Sequence, residues 1–83
     1  MSEITLYTTR FCPFCVAAKR LLDKKGAEYQ EIRVDNNQNL RQEMMKKSGR
    51  RTVPQIWIGQ KHVGGCDDLY ALEESGKLNQ LLK

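Results

Sequence analysis

Hydrophobic positions alternate with period two in some segments of the chain and recur every three or four residues in others, which predicts strands and helices in turn. Residues 4–8 (ITLYT) are β-branched and aromatic, and they predict a first strand. Apolar residues then recur at helical spacing until Gly26, which lies where a helix C-terminal cap belongs. The apolar face of this helix comprises Phe14, Ala17, Ala18, Leu21 and Leu22.

The middle of the chain repeats the strand and helix pattern. Residues 28–34 predict a second strand, which ends at the polar run Asp35-Asn36-Asn37. Leu40 and the pair Met44-Met45 then mark a second helix with Gly49 as its cap. Two strand and helix units therefore lie in the first half of the chain.

The last third predicts a hairpin and a helix. Residues 53–58 predict a third strand, and Gly59-Gln60 has the composition of a two-residue turn into a fourth strand at residues 61–63. A third helix begins with Asp67 as its cap and ends at Gly76, and the leucine-rich tail adds a final helical turn or two. The predicted order is β-α-β-α-β-β-α.

Composition limits the classes to which the chain can belong. With 83 residues, 40% of them hydrophobic and 29% charged, we expect one small globular domain, residues 1–83. The net charge of +4 is spread along the sequence rather than gathered in a stripe, so we expect no nucleic-acid partner. No apolar run approaches the length of a membrane span and the N-terminus has no signal-peptide pattern, so we expect no membrane partner and a cytoplasmic location.

The candidate chemistry lies at the junction between the first strand and the first helix. There Cys12-Pro13-Phe14-Cys15 places Cys12 at the helix N-cap and Pro13 at the first helical position, where its missing N–H costs nothing. The Cys12 sulfur should face the backbone amides of Phe14 and Cys15, and these amides and the helix dipole favour a thiolate. Cys15, inside the first turn, should be less exposed. We therefore expect Cys12 to attack and Cys15 to resolve.

Two other interpretations of these thiols remain open at this point. The chain has three cysteines, an odd number that fits a reducing compartment better than a disulfide framework. A purely stabilising Cys12–Cys15 disulfide would close so short a loop that it contributes only about 2 kcal/mol. Adding His62 and Cys66 to this pair completes a formal Cys₃His zinc set. Cys66 itself is either a small residue required by a tight turn or an oxidisable thiol.

Three motifs occur in order along the chain, namely Cys12-Pro13-Phe14-Cys15, Thr52-Val53-Pro54-Gln55-Ile56 and Gly64-Gly65-Cys66-Asp67-Asp68. Together they resemble the glutaredoxins of the thioredoxin superfamily, most closely the short bacterial dithiol type called glutaredoxin 3. The resemblance covers the whole chain and implies a thioredoxin-like α/β fold with a four-stranded mixed sheet and three helices. It also implies a glutathione-dependent thiol-disulfide oxidoreductase that reduces protein disulfides and glutathione mixed disulfides.

The resemblance further implies a glutathione site. Val53 would pair with the glutathione backbone next to a cis Pro54, and the amides of Cys66 and Asp67 would hold the γ-glutamyl carboxylate. Arg41 would bind the glycyl carboxylate, together with Arg10, because Thr9 occupies the position of the family lysine. The implied glutathione-binding residues are Arg10, Phe14, Arg41, Thr52, Val53, Pro54, Gly65, Cys66 and Asp67.

Partners and cofactors follow from the same resemblance. Glutathione would be a co-substrate, no metal or other cofactor would be tightly bound, and glutathionylated or disulfide-containing proteins would be the substrates of a monomer. The alternative within redox chemistry is a glutaredoxin-like electron donor recharged by thioredoxin reductase, and the family also includes dimers that share an iron–sulfur cluster. We expect Arg50 and Arg51 to be solvated surface residues and His62 to be a surface strand residue.

Overall fold

The computed structural model describes residues 3–82. Met1 and Ser2, for which no signal-peptide pattern is expected, and Lys83 lie outside the described residues. The secondary-structure elements are β1 (Ile4–Thr8), α1 (Pro13–Lys24), β2 (Gln30–Arg33), α2 (Gln38–Ser48), β3 (Gln55–Ile58), β4 (Lys61–Gly64), α3 (Cys66–Glu74) and α4 (Lys77–Leu81). None of the helices in residues 3–82 is both long and apolar enough to span a membrane.

The four strands form one mixed sheet in the order β2-β1-β3-β4. β1 runs parallel to β2, with Tyr7 opposite Ile32, so α1 serves as the crossover that a parallel pair requires. β1 runs antiparallel to β3, with Leu6 opposite Ile56, and β3 runs antiparallel to β4. The predicted α/β fold with a four-stranded mixed sheet is confirmed.

Each face of the sheet is covered by its own apolar cluster, because successive side chains of a strand point to opposite faces. Leu6 and Ile56 belong to the larger cluster, which includes residues of α1, α3 and α4. Tyr7 belongs to the smaller cluster, together with Val34, which directly follows β2, and Met44 of α2. Burial of each large apolar side chain stabilises the fold by about 1.5–3 kcal/mol. The sheet is thus packed between two layers of helices.

Several boundaries differ from the sequence prediction. β2 spans Gln30–Arg33 rather than residues 28–34, and β4 extends to Gly64. The third strand begins at Gln55 rather than at residue 53, since Pro54 has no N–H to donate to a neighbouring strand. The leucine-rich tail forms a separate fourth helix after the three predicted ones, because Gly76 adopts a positive φ of 80° and breaks the preceding helix. The loop that precedes β3 therefore lies outside the sheet ladder.

Candidate active site

Cys12 and Cys15 lie at the start of α1, directly after the loop that follows β1. Cys12 has extended backbone angles, φ −141° and ψ 98°, and forms the N-cap, while Pro13 is the first helical residue. The two sulfurs are joined in a disulfide and the two Cα atoms are 5.2 Å apart. The strand-to-helix position predicted for the dithiol is confirmed, and the structure shows its oxidised form.

The polar surroundings of the two sulfurs differ. The Cys15 amide donates a hydrogen bond to Cys12 Sγ at 3.1 Å, whereas the Phe14 amide is not among the donors to this sulfur in residues 3–82. Cys12 is 9% exposed and Cys15 only 1%, as expected for an outer and an inner thiol. When the disulfide opens, negative charge on Cys12 lies at the positive end of the α1 dipole. Cys12 is therefore the more exposed of the two sulfurs and the one that accepts a backbone amide of α1.

A loop that carries Thr52, Val53 and Pro54 faces the dithiol. The Val53–Pro54 peptide bond is cis, as the resemblance implied. The Val53 carbonyl oxygen lies 3.7 Å from Cys12 Sγ, and Pro54 is buried while Thr52 is exposed. Because this loop lies outside the sheet ladder, it presents backbone groups next to the reactive sulfur.

A cavity of about 280 Å³ lies next to the dithiol, between this loop, α1 and the start of α3. The residues that line it are Phe14, Arg50, Thr52, Val53, Pro54, Gly65, Cys66, Asp67 and Asp68. Seven of the nine residues predicted to bind glutathione are among them. A larger recess, about 570 Å³, lies elsewhere, lined in part by Lys25, Glu28 and Tyr29, and has no cysteine in its lining.

Two of the residues predicted to bind glutathione lie outside this cavity. Arg10 is exposed, stacks on Phe11 with its guanidinium carbon 5.3 Å from the ring centroid, and lines a separate recess with Arg33 and Asp35. Arg41 is half-buried on α2 and does not line the cavity. The structure thus gathers the residues around Val53 and Cys66, and leaves both predicted arginines apart from them.

The start of α3 differs from the prediction of an Asp67 cap. Gly65 is the N-cap residue, and the Asp68 carboxylate accepts its amide hydrogen bond at 2.9 Å. Arg50 Nη1 donates to the same carboxylate oxygen at 3.0 Å. The Gly65 amide and the Arg50 guanidinium hold the pKa of Asp68 below its ordinary value. Asp67 is exposed at the rim of the cavity.

Gly64 is required by this arrangement. Its φ of +118° is rarely adopted by residues with a side chain, and a Cβ atom at this position would lie 2.7 Å from Asp68 Cγ. Gly65 has no such conflict, because a Cβ atom there would meet only the Pro54 carbonyl oxygen at 3.5 Å. The first glycine of the pair leaves space for the Asp68 carboxylate to cap α3.

Cys66 borders the cavity but its chemistry differs from that of Cys12. The residue is 8% exposed and belongs to the larger apolar cluster. Burial, and secondarily the negative charge of Asp67, raise the pKa of the Cys66 thiol. This cysteine is therefore protonated at neutral pH and contributes as an apolar packing residue.

Three side chains near the site take roles that the sequence analysis missed. Arg50 is exposed, as expected, but it also pairs with Asp68 and lines the cavity. His62, expected on the surface, is half-buried and its Nε2 lies 2.8 Å from Gln55 Oε1. Gln55 is fully buried. A polar residue between apolar residues of a predicted strand is the one sequence feature that indicates a buried hydrogen-bond partner.

Within residues 3–82, no group of three or more His, Cys, Asp or Glu side chains is arranged to hold a metal ion.

Comparison with known proteins agrees with this geometry. The glutaredoxin family model matches residues 4–63. The chain is 56% identical to a glutaredoxin of Pseudomonas aeruginosa over 82 residues, covering 99% of this chain and 98% of the relative. It is 53% identical to glutaredoxin 3 of Escherichia coli over 83 residues, covering all of both chains.

A solved structure extends the similarity to the fold. The crystal structure of a buckwheat glutaredoxin–glutathione complex superimposes with a TM-score of 0.91 at 33% identity, covering 98% of this chain and 76% of that one. The family model covers most of the chain, the relatives match along nearly its whole length, and the Cys12–Cys15 pair lies at a helix start in a thioredoxin-like sheet. The chain belongs to the glutaredoxin family of thiol-disulfide oxidoreductases.

Proposed function

We propose that this glutaredoxin reduces glutathione mixed disulfides and protein disulfides at the expense of glutathione, with Cys12 as the nucleophile and Cys15 as the resolving thiol. The observation that carries the proposal is the position of Cys12. Its sulfur accepts the Cys15 amide at the N-terminus of α1 and lies 3.7 Å from the carbonyl oxygen of Val53, a residue that lines the cavity. A thiolate is thus favoured where a peptide-like disulfide can reach it.

For a glutathionylated protein the reaction has two exchange steps. The Cys12 thiolate attacks the glutathione sulfur, the bond between that sulfur and the protein sulfur breaks, and the protein leaves as a thiolate that takes up a proton. A glutathione thiolate then attacks the glutathione sulfur on Cys12. Oxidised glutathione forms and the Cys12 thiolate is restored.

For a protein disulfide both cysteines take part. Cys12 attacks one substrate sulfur and releases the other as a thiol, which leaves a mixed disulfide between Cys12 and the substrate. The Cys15 thiolate attacks Cys12 Sγ, the second substrate thiol leaves, and the Cys12–Cys15 disulfide remains. Two glutathione molecules reduce this disulfide. The 5.2 Å separation of the two Cα atoms is compatible with repeated closing and opening of the bond.

The cavity supports glutathione as the ligand through its chemistry. Glutathione carries two carboxylates and one amine. The amides of Cys66 and Asp67 at the start of α3 suit the γ-glutamyl carboxylate, and the exposed Asp67 carboxylate suits the amine. The open backbone of Val53 suits strand-like pairing with the tripeptide, and Phe14, Thr52, Pro54 and Gly65 complete the walls.

The glycyl carboxylate requires a cation at the other end of the tripeptide. We assign this role to Arg41, with Arg10 as its partner. In this structure both guanidinium groups lie outside the cavity lining, so the assignment rests on the family resemblance.

We assign the 83 residues to a single domain that acts as a monomer in the cytoplasm, with no tightly bound metal or cofactor and with glutathionylated or disulfide-containing proteins as partners. Gel filtration with light scattering tests the oligomeric state. A dimer mass in the reduced protein would contradict it.

The proposal is tested with Cys12→Ser and Cys15→Ser in two assays, removal of glutathione from a mixed disulfide and reduction of a protein disulfide. We expect Cys12→Ser to abolish both activities. Cys15→Ser should keep the first activity and lose the second, because only the second requires a resolving thiol. Equal loss of both activities in Cys15→Ser would contradict the scheme.

A regeneration experiment separates the two sources of electrons. The oxidised protein is incubated with glutathione alone or with thioredoxin reductase and NADPH alone, and free thiols are counted over time. We expect glutathione to regenerate the dithiol. Regeneration by the reductase and not by glutathione would favour the alternative electron donor.

A further inference from the structure

Gln55 is a buried polar side chain directly after the Val53–Pro54 bond. It is 0% exposed, and a buried amide is stable only when its donors and acceptor are paired. Its Nε2 donates to the Thr52 carbonyl oxygen at 3.0 Å and contacts Thr52 Oγ1 at 3.2 Å. Its Oε1 faces His62 Nε2 at 2.8 Å. Gln55 therefore bridges the active-site loop to β4.

These contacts fix the direction of each hydrogen bond. If the Gln55 amide were reversed, Oε1 would face the Thr52 carbonyl oxygen, and two acceptors cannot bond to each other. Since Oε1 must then point to His62, the imidazole must donate through an N–H at Nε2. The chain of donors runs from His62 to Gln55 and from Gln55 to Thr52, one residue before Val53.

The His62 ring is itself held in place. It lies against Trp57 with ring centroids 4.7 Å apart, and Trp57 packs edge-on against Tyr7 at 5.2 Å. The charged groups near the imidazole are Arg50 and Asp68. Burial first, and then the positive charge of Arg50, lower the pKa of His62, and Asp68 acts in the opposite direction. The ring is neutral at pH 7, with its proton on Nε2.

We propose that Gln55 and His62 are positioning residues for glutathione recognition: the His62 donor orients the Gln55 amide, which holds the Thr52 carbonyl so that the Val53 backbone faces Cys12 and the cavity. The inference rests on the proposed function, in which Val53 pairs with the glutathione backbone. Neither side chain lines the cavity. Their effect should therefore reach glutathione-containing disulfides and leave the intrinsic reactivity of Cys12 unchanged.

The experiment compares two disulfides in single turnovers of the fully reduced protein. Oxidised glutathione carries the peptide backbone that Val53 would bind, whereas bis(2-hydroxyethyl) disulfide carries none. The variants are His62→Phe, which keeps an aromatic ring against Trp57 and removes the donor, and His62→Gln, which restores an N–H donor without the ring. Circular dichroism and thermal unfolding verify that each variant is folded.

We expect His62→Phe to slow the reaction with oxidised glutathione about tenfold, since a buried hydrogen bond lost from a positioned loop is worth roughly one order of magnitude. The rate with bis(2-hydroxyethyl) disulfide should stay within about twofold of the unmodified protein, because no backbone pairing is involved. His62→Gln should recover most of the rate with oxidised glutathione. Gln55→Leu, which removes both ends of the bridge, should match or exceed the loss seen in His62→Phe.

The possible failures are distinguishable. If the unmodified protein shows no preference for oxidised glutathione over bis(2-hydroxyethyl) disulfide, the proposed function fails. If the preference exists and all three variants retain it, only the positioning proposal fails. The proposal is also overturned if both substrates slow equally, or if His62→Gln is as impaired as His62→Phe. If His62→Phe does not fold, Gln55→Leu takes its place in the comparison, and if Gln55→Leu does not fold, His62→Phe alone carries it.

Discussion

Two helices of this protein begin next to a cysteine, and the two thiols have opposite properties. Cys12 is the N-cap of α1 and its sulfur accepts a backbone amide of the first turn. Cys66 is the first residue of α3, after the N-cap residue Gly65, and its sulfur packs in the apolar cluster, where burial raises the pKa of its thiol. Proximity to a helix N-terminus is common to both.

The difference lies in a shift of one residue along the helix start. An N-cap side chain folds back over the free amides, whereas the side chain of the first helical residue points to the flank of the helix. At α3 the free Gly65 amide is bonded by the Asp68 carboxylate, so the capping role is filled without the cysteine. We therefore expect the α1 dipole to favour the thiolate of Cys12, whose sulfur faces an amide, and the α3 dipole to act little on Cys66.

The largest expected effect concerns the start of α3. Gly64→Ala should destabilise the protein by about 2–3 kcal/mol, because the new Cβ would displace the Asp68 cap and a positive φ of +118° would be imposed on alanine. This corresponds to a fall in Tm of about 10–20 °C. Thermal unfolding followed by circular dichroism measures the change.

Gly26→Ala is the matched control. Gly26 also has a positive φ, +69°, but nothing lies within 4 Å of the added Cβ. Only the backbone cost of about 1–2 kcal/mol should remain. An equal loss at both positions would show that the contact with Asp68 contributes nothing.

The next largest expected effect is the difference in stability between serine and alanine substitutions at Cys12 and at Cys66. In the reduced protein, Cys12→Ser should be about 1 kcal/mol more stable than Cys12→Ala, because a serine hydroxyl caps the helix as the sulfur does. At Cys66 the order should vanish or reverse, since a hydroxyl gains no cap there and enters an apolar cluster. Urea unfolding of the four variants under reducing conditions measures the differences. The same preference for serine at both positions would remove the distinction between the two helix starts.

The smallest expected change in stability comes from removing the charge of the Asp68 carboxylate, which caps α3. Asp68→Asn should cost about 0.5–1 kcal/mol at pH 7, since an amide oxygen still accepts the Gly65 N–H but loses its charge toward Arg50 and the helix dipole. The pKa of Asp68 is lowered in the folded protein, so its stabilisation is present above the pKa of an unfolded aspartate and disappears as the pH falls through the folded pKa.

The difference in stability between the unmodified protein and Asp68→Asn should therefore shrink between pH 5 and pH 2. Asp67→Asn is the control, because Asp67 lies at the same helix end and does not cap the Gly65 amide. Thermal unfolding of both variants across this pH range is the measurement. A difference that is constant with pH would contradict the role of the Asp68 charge.

The sequence predicted the parts of the molecule that depend on neighbouring residues. Hydrophobic periodicity located the strands and helices, and Pro13 after Cys12 placed the dithiol at a helix start, so the different exposure of Cys12 and Cys15 followed. Gly59 lies in the turn between β3 and β4, as the dipeptide Gly59-Gln60 predicted, and adopts a positive φ. The cis Val53–Pro54 bond was implied only through the family resemblance, since proline alone permits both isomers.

The features that sequence reasoning missed depend on contacts between distant residues. Arg50 meets Asp68 eighteen positions later, and His62 meets Gln55 across the β3–β4 hairpin. Neither pair has a local signature. The sequence predicts Asp67 as the cap of α3, whereas Asp68 bonds the Gly65 amide. The capping-box signature has Ser or Thr at the N-cap, so glycine at position 65 gave no such signal.

The most direct test is the alkylation of the fully reduced, folded protein with iodoacetamide from pH 5 to pH 9, with each of the three cysteines quantified by mass spectrometry. We predict that Cys12 reacts first and reaches its maximal rate at a pH below that of a free cysteine, because its sulfur accepts the Cys15 amide. Cys66 should react more slowly than Cys12 although the two are buried to a similar extent, because burial raises the pKa of the Cys66 thiol. Cys12 titrating like a free thiol, or Cys15 or Cys66 reacting first, would contradict the account.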